Sequence, residues 1–549
     1  MLRPTRPCRR RGHNAVRLAA WCVLMLAAFA ACAASVEEPF IYRAERGDTL
    51  IGIGNRLLAV PAQWRGVQRL NRIHDPHRIP VGKEIRIPVA WLRRVPESAR
   101  ILTVRGQAER GGQPLQAGAL LAEGAAISTG ADGYVTIVLP DESEFTVEPE
   151  SRLRFATLRR LADSNLREVS LVLERGRMGA RTMPRKPGAA GRFEIRSRVA
   201  AAAVRGTEFR VAADDTAARS EVLAGIVAFQ GLGTARQVEL NAGFGSYVRG
   251  ASPPAEPKRL LPAPEVANLP TLQERTVVRF DLPPASGVQA WRAQVATDRE
   301  FRDVLGATQA DVPVLRFPDL EDGEYWLRVR AVDKEGLEGF DAYHRFRLKA
   351  RPEAPFPSTP AADAKLPAGP LVFRWAEPAG VARYRIQVAQ DAKFASPVRD
   401  EDGLTGSTFT VEGLEPGDYW WRVQSIRADG DRGPFGDPQA FTLRPLPADP
   451  NPPALDEKEL RFSWGGLPGQ SFLFQLSRDP DFSRVDIERA LAEPRVALER
   501  PAAGVYYMRV RTTDPDGYVG PFTTTQRVEV PATATGPWWL LFLLLVPFM

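Results

Sequence analysis

The chain has 549 residues, 44% of them hydrophobic and 25% charged, a length that exceeds what one hydrophobic core serves and implies several units of roughly 50 to 200 residues. Six of the 73 basic residues and none of the 66 acidic ones lie in the first 34, so a chain without that segment carries about +1 rather than +7, too little concentrated positive charge for a nucleic-acid binder. Cys8, Cys22 and Cys32, the only cysteines, lie there too, so a chain cleaved after Ala33 or Ala34 has no disulfide, thiol nucleophile or thiolate metal site.

The first 34 residues combine six arginines with the apolar run "LAAWCVLMLAAFAACAA" and small residues at its end. This is the pattern of a secretory signal peptide and sends the remainder to the periplasm. Cleavage after Ala33 or Ala34 is the preferred reading. "FAAC" also reads as a lipoprotein box with Phe29 where Leu is usual, and in that alternative Cys32 carries a lipid.

Residues 38–95 hold 11 basic and 5 acidic residues. "FIYRA" and "EIRIP" each suit a short strand. Between them Asp48 or Thr49 can cap a helix whose Leu50, Ile53 and Leu57 share a face. Pro61 suits a first turn, and Trp64, Val67 and Leu70 continue a second apolar stripe up to Asn71. The unit reads as βααβ. The RGD tripeptide at Arg46 would need an exposed loop tip to act in adhesion, whereas Asp48 is better used at the helix start. Gly52-x-Gly54 lies inside the helix and lacks the third glycine of a dinucleotide fingerprint. His74 and His77 could share a metal with Asp75, but a turn-region histidine pair without other ligands nearby is better read as solvated, and no metal site is expected.

The string "YRAERGDTLIGIGNRL…VPAQWRGVQRLNRIHDPHRIPVGKEIRIP" resembles the LysM domain, with its Gly-Asp-Thr-Leu turn, Leu-Asn pair and terminal Ile-Pro. That family binds N-acetylglucosamine-containing glycans, chiefly peptidoglycan. The resemblance implies a shallow groove of Gly47, Asp48, Thr49 and Leu50 with Asn71, Arg72, Ile73 and Ile79. Two departures stand out: Val81-Gly82 replaces the usual Pro-Gly turn, and Gly52 and Gly54 each cost the first helix roughly 1 kcal/mol.

Residues 100–250 are rich in glycine and β-branched residues, with alternations such as "YVTIVL", "FEIRS" and "TEFRVAA" that read as an all-β unit. Leu115 to Gly231 resembles the FecR-type periplasmic domain. The resemblance is carried by "LQAGALLAEGAAISTGADGYVTIVLPDESEFTVEPESRLRF", "LERGRM" and "VAAAAVRGTEFRVAADD…SEVLAGIVAFQG", in which Gly206 suits a turn that no β-carbon permits. In that family the domain receives or transmits an envelope signal, often to a sigma factor. Classical members carry a cytoplasmic segment and a membrane helix ahead of it. Here a signal peptide and a LysM-like module stand there, which argues against direct sigma-factor control.

Residues 251–264 begin a proline-rich stretch that reads as an extended linker. Beyond it the sequence repeats three times. "QVATDREF", "QVAQDAKF" and "QLSRDPDF" are followed in register by "GEYWLRV", "GDYWWRV" and "GVYYMRV", then by "GLEGF", "DRGPF" and "GYVGPF". Alternation puts Tyr419, Trp421 and Val423 on one strand face, as in the core of a β-sandwich. The copies, 265–350, 355–444 and 450–531, resemble fibronectin type III domains. Residues 536–549, "GPWWLLFLLLVPFM" at their end, are too short to span a bilayer as a helix and allow a peripheral membrane contact.

Peptidoglycan hydrolysis would need catalytic groups. The three histidines beyond residue 34, His74, His77 and His344, are scattered, and Glu142, Glu144 and Glu148 in "DESEFTVEPE" read as a solvated strand face rather than a glycosidase pair. No catalytic residue and no cofactor is expected. The expected fold is multidomain and mainly β, with a small βααβ module, an all-β domain and three tandem β-sandwiches. The expected function is a non-catalytic, peptidoglycan-binding envelope scaffold, with an envelope protein partner on the FecR-type or fibronectin-like domains. The alternative is a periplasmic signalling regulator acting through the FecR-type domain.

Overall fold

A computed structural model describes residues 39–162, 166–183 and 192–532. The signal peptide, Cys32 and the C-terminal tail lie outside the described residues. Two compact units form: one comprises residues up to 271 with 277–318 and 324–347, and the other comprises 272–276, 319–323 and the chain from Leu348. Among the described residues no helix is long and apolar enough to cross a membrane.

The N-terminal module is βααβ as expected. Phe40–Arg43 pairs antiparallel with Glu84–Ile87, and between them run the helix Leu50–Leu57, a 3-10 turn at Pro61–Gln63 and the helix Trp64–Leu70. Thr49 is the N-cap, its hydroxyl accepting from the Gly52 N–H at 3.0 Å. Leu50, Ile53 and Leu57 are buried together with Val67. Leu70 is exposed instead, since the second helix spans only two turns and ends there.

Gly54 in the first helix has a packing reason that propensity alone does not reveal. A methyl group at Gly54 would lie 2.9 Å from both the Pro61 carbonyl oxygen and the Trp64 Cβ, so the glycine lets the second helix approach the first.

Residues 94–259 build one extensive, largely antiparallel sheet system, with Arg192–Arg196 paired parallel to Arg167–Arg181, around a single core that includes Phe145, Phe155, Phe193, Phe209 and Phe229. Its longest strands are Arg167–Arg181, Ala200–Ala213 and Ala217–Gly231. Gly206, expected in a turn, instead takes φ +58° inside Ala200–Ala213, where the register with Ala217–Gly231 slips between Arg205 and Glu208. It is a β-bulge that lets two long strands stay paired while they coil. The N-terminal module is continuous with this sheet. Arg94–Pro96 pairs with Arg159–Leu161, and Leu161 and Ala162 complete the module's own core.

The proline-rich segment is no free linker. Ala255 donates to the Tyr247 carbonyl, Lys258–Arg259 pairs with Phe244–Gly245, and Leu260 is buried. Its prolines lack the donor a central strand needs, but Lys258 and Arg259 pair with the neighbouring strand and the Leu260 N–H donates to the Gly243 carbonyl. The segment crosses to the first sandwich, where the Phe340 N–H donates to the Leu261 carbonyl and Lys258 bridges to Asp333 at 2.7 Å.

Each repeat is a two-sheet β structure. In the second, Phe373 of one sheet packs edge-on against Trp421 of the other, 5.1 Å between ring centres. Tyr419, Trp421 and Val423 are buried as the alternation requires. The repeat pattern has a common physical basis on the opposite strand face. Gln294, Gln387 and Gln475 each accept from the arginine directly opposite on the neighbouring strand, Arg328, Arg422 and Arg509, and each guanidinium lies 4.0 to 4.2 Å from the ring centre of the motif's phenylalanine, Phe301, Phe394 or Phe482. Glutamine, arginine and phenylalanine thus recur because they form one stack.

Gly54→Ala tests the close approach. Helix propensity alone predicts a gain of about 1 kcal/mol, whereas the contact predicts a net loss of about 1–3 kcal/mol. Hydrogen exchange of the Leu50–Leu57 amides should report the loss, and slower exchange would contradict it.

Candidate functional site

Two regions gather candidate functional residues. In the N-terminal module the residues expected to form a glycan groove divide by role. Leu50, Ile73 and Ile79 are buried in the core. Asp48 accepts from Tyr42 at 2.6 Å and from the Glu45 N–H at 2.8 Å, with Arg56 beside it. Burial alone would raise the Asp48 carboxyl, but these partners outweigh it and hold it low, while burial and Asp48 push Tyr42 up to about 12.

Thr49 is spent on the helix cap. Asn71 clamps the backbone of Arg86 with two bonds of 2.7 Å. Gly47 and Arg72 remain exposed. The structure brings the two expected loops together, because the Leu50 N–H donates to the Pro76 carbonyl at 2.8 Å. Arg72 and Arg78 stand exposed at this junction.

The second region was not visible in the sequence. Glu148, read as part of a solvated face, is 5% exposed. It lies just past the strand Glu144–Val147, whose outward face is covered by the first sandwich. The Arg302 carbonyl accepts from Thr103 at 2.6 Å and from Thr136 at 3.0 Å, and Arg302 pairs with Glu144 at 2.8 Å. Tyr134 packs with Phe301 and Val304.

Between these contacts lies an ionic cluster with charges of both signs from both sides. The β domain supplies Glu148, Arg177, Arg210 and Glu221, and the sandwich supplies Arg292, Arg330, Glu338 and Asp341. Glu338 accepts from Arg177 at 2.7 Å and from Arg330 at 2.7 Å. Arg292 pairs with Glu148, and Asp341 pairs with Arg330 and, at 3.1 Å, with Arg210. Arg210 also donates to the carbonyls of Glu338 and Gly339.

The cluster splits its carboxylates. Burial alone would raise Glu338 and Asp341, but the surrounding arginines, Arg330 foremost, hold both well below the usual carboxylate range. Glu221 goes the other way. Burial pushes it up to about 7, with Glu338 adding to the rise while Arg210 opposes it. Its carboxyl meets the Glu338 N–H at 3.3 Å, and Arg210 is its cross-strand neighbour.

A signal for this cluster does exist in the repeats. Aligned on the closing phenylalanine, Glu338 in "GLEGF" stands where the other copies have Gly433 and Gly520.

The region from 94 to 259 is thus a largely antiparallel β domain with a charged face on which the first sandwich packs. Residues 125–228 of it match the family model described as FecR protein; all four charges that the β domain contributes fall within that span. A search of curated proteins found no match to the chain. Among solved structures, the chain is similar to a candidate anti-sigma factor from Parabacteroides distasonis ATCC 8503, at 20% identity and a TM-score of 0.20. That likeness covers 24% of this chain and 59% of the other. The FN1–FN3 domains of chicken CNTN1 are similar at 16% identity over 49% of this chain and 99% of theirs, and the fibronectin(III)-like modules of Clostridium thermocellum CbhA at 11% over 33% and 96%, each with a TM-score of 0.20.

Arg330→Leu leaves Glu338 and Asp341 short of a partner and should cost about 3–5 kcal/mol in chemical denaturation. Glu221 sets a pH dependence of opposite sign to the other carboxylates. Because its folded value of about 7 lies above the ordinary 4.5, its contribution is complete below about 4.5 and is lost as pH rises through 7. Stability should fall by on the order of 1 kcal/mol per pH unit across that window, and Glu221→Gln should flatten the slope. A slope unchanged in the variant would contradict the assignment.

Proposed function

We propose that this chain is a non-catalytic envelope regulator in which the FecR-type domain and the first sandwich together form a recognition head for a protein partner. The observation that carries this reading is the overlap between the family match at 125–228 and the docking face. In the resembled family that domain handles an envelope signal, and here it is joined to a fibronectin-like sandwich through buried charges from both sides. The remaining sandwiches then serve as spacer or as further docking surface.

Mild crosslinking in intact cells followed by purification of the full chain tests it. The expected result is one stoichiometric membrane protein in the eluate. Recovery of glycan without a protein would overturn the regulator reading and favour a wall-bound scaffold.

A second reading, compatible with the first, makes the N-terminal module a peptidoglycan anchor. The junction of its two loops at Leu50 and Pro76 favours it, and the exposed Arg72 and Arg78 there suit carboxylates of the wall. Because Leu161 and Ala162 belong to the module's core, point variants of the full chain are a cleaner test than truncation. The chain should sediment with insoluble sacculi, and Arg72→Glu with Arg78→Glu should weaken this several-fold at low salt, less at high salt. Sedimentation equal in both proteins at low salt would contradict a site at this junction.

A further inference from the structure

The edge strands of the three repeats differ in a way the shared fold does not require. In each sandwich the strand after the glutamine-bearing one ends its sheet: Val304–Ala310, Arg399–Leu404 and Ile487–Leu491. An unpaired edge invites another strand, and charged side chains are a common guard against it. The second copy's edge, "RDEDGL", carries Asp400, Glu401 and Asp402, and the third, "IERAL", carries Glu488 and Arg489. The first, "VLGATQA", carries no charge and no proline.

That bare edge does not face open solvent on all sides. Ala307, Thr308 and Gln309 form one wall of a cleft of about 480 Å³ whose opposite wall is the β domain at Gly176, Ala212 and Ala213. Four arginines line it, Arg175, Arg177, Arg219 and Arg292, against two carboxylates, Glu150 and Asp214. Arg177 and Arg292 are engaged in the ionic cluster, and Arg219 donates to the Glu335 carbonyl at 2.8 Å and stands 4.0 Å from the Asp214 carboxylate at the cleft's rim. Arg175 is exposed and, among the described residues, has no ion-pair partner.

We infer that Val304–Ala310 is a docking edge on which an acidic, extended segment of a partner protein adds as a further strand, its carboxylates meeting Arg175 and Arg219. The inference rests on the recognition-head reading and names the chemistry of its partner. Backbone pairing along the edge supplies affinity without regard to sequence, and the arginines select acidic side chains. The guarded edges of the other two copies confine this pairing to the copy that abuts the FecR-type domain.

The test uses the full chain and a labelled ten-residue peptide of alternating valine and glutamate, followed by fluorescence anisotropy. Two control peptides replace glutamate by lysine or carry N-methyl groups on alternate backbone amides, which block strand pairing. The valine–glutamate peptide should bind, and affinity should fall at least tenfold for either control, for Arg175→Ala, and for the Ala307→Asp, Gln309→Asp pair that copies the second sandwich's guard. Thermal unfolding should be unchanged for Arg175→Ala and close to unchanged for the paired variant, since these side chains are exposed and Gln309 makes only one long hydrogen bond, at 3.5 Å from Arg292. Absence of binding, equal binding of the N-methylated or lysine peptide, or equal affinity in the variants would overturn the inference. Repeating the cellular crosslinking with the guarded variant separates the two claims. Loss of the membrane protein supports the edge as its site, and its retention places the partner elsewhere while leaving the regulator reading intact.

Discussion

Eight ionisable side chains meet where the FecR-type domain and the first sandwich pack together, four from each, and five of them, Glu148, Arg210, Glu221, Arg330 and Glu338, are buried. Neither set is self-sufficient. Arg330 and Glu338 belong to one side, yet Glu338 also needs Arg177, and Glu148 needs Arg292. Removing charges from water costs several kcal/mol each, and their mutual attraction offsets this only when every partner is in place. The consequence is specificity more than raw stability. A sandwich lacking this arrangement would bury uncompensated charge, and neither of the other copies has an acid where Glu338 stands.

The neighbouring features follow from that fixed pairing. The segment from Lys258 to Leu261 can lie as a strap because the surfaces it joins are already adjacent, with Lys258 reaching Asp333 on the sandwich. The apolar contact of Tyr134 with Phe301 and Val304 closes one side of the face. At its rim the sheet edge and the β domain diverge into the arginine-lined cleft. The N-terminal module is tied in from the opposite direction through Arg94–Pro96 and the Arg94–Glu168 pair. The N-terminal module and the charged face are therefore both attached to one large sheet system, the module through the pairing of Arg94–Pro96 with Arg159–Leu161.

Much of the fold was legible because its signals are local. A helix cap at Thr49, the spacing of Leu50, Ile53 and Leu57, and the alternation at Tyr419, Trp421 and Val423 depend on neighbours a few residues away. What was not legible depends on which segments the fold brings together, whether near in the chain, as Asn71 with Arg86, or more than a hundred residues apart, as Glu148 with Arg292. Glu148 looks solvated when its strand is read alone, and only the return of Arg292 and Arg330 buries it. The prolines after Gly250 suggest an extended linker until Gly243 and Tyr247 offer their carbonyls. In the candidate glycan groove, the loops were placed together by family resemblance, while the structural duties of Asp48, Thr49 and Asn71 emerged only with their partners. Gly54 shows the same limit: propensity registers a cost, and the contact with Trp64 supplies its reason.

The central claim, that the FecR-type domain and the first sandwich form one cooperative body, is tested most directly by hydrogen exchange of the full chain across a series of urea concentrations. Amides of Ala217–Gly231 and Gly323–Val332 should open with a common free energy and a common urea dependence, as members of one unfolding unit do. Exchange of the Gly323–Val332 amides at a distinctly lower free energy, while Ala217–Gly231 stays protected, would show that the sandwich unfolds by itself and would contradict the account.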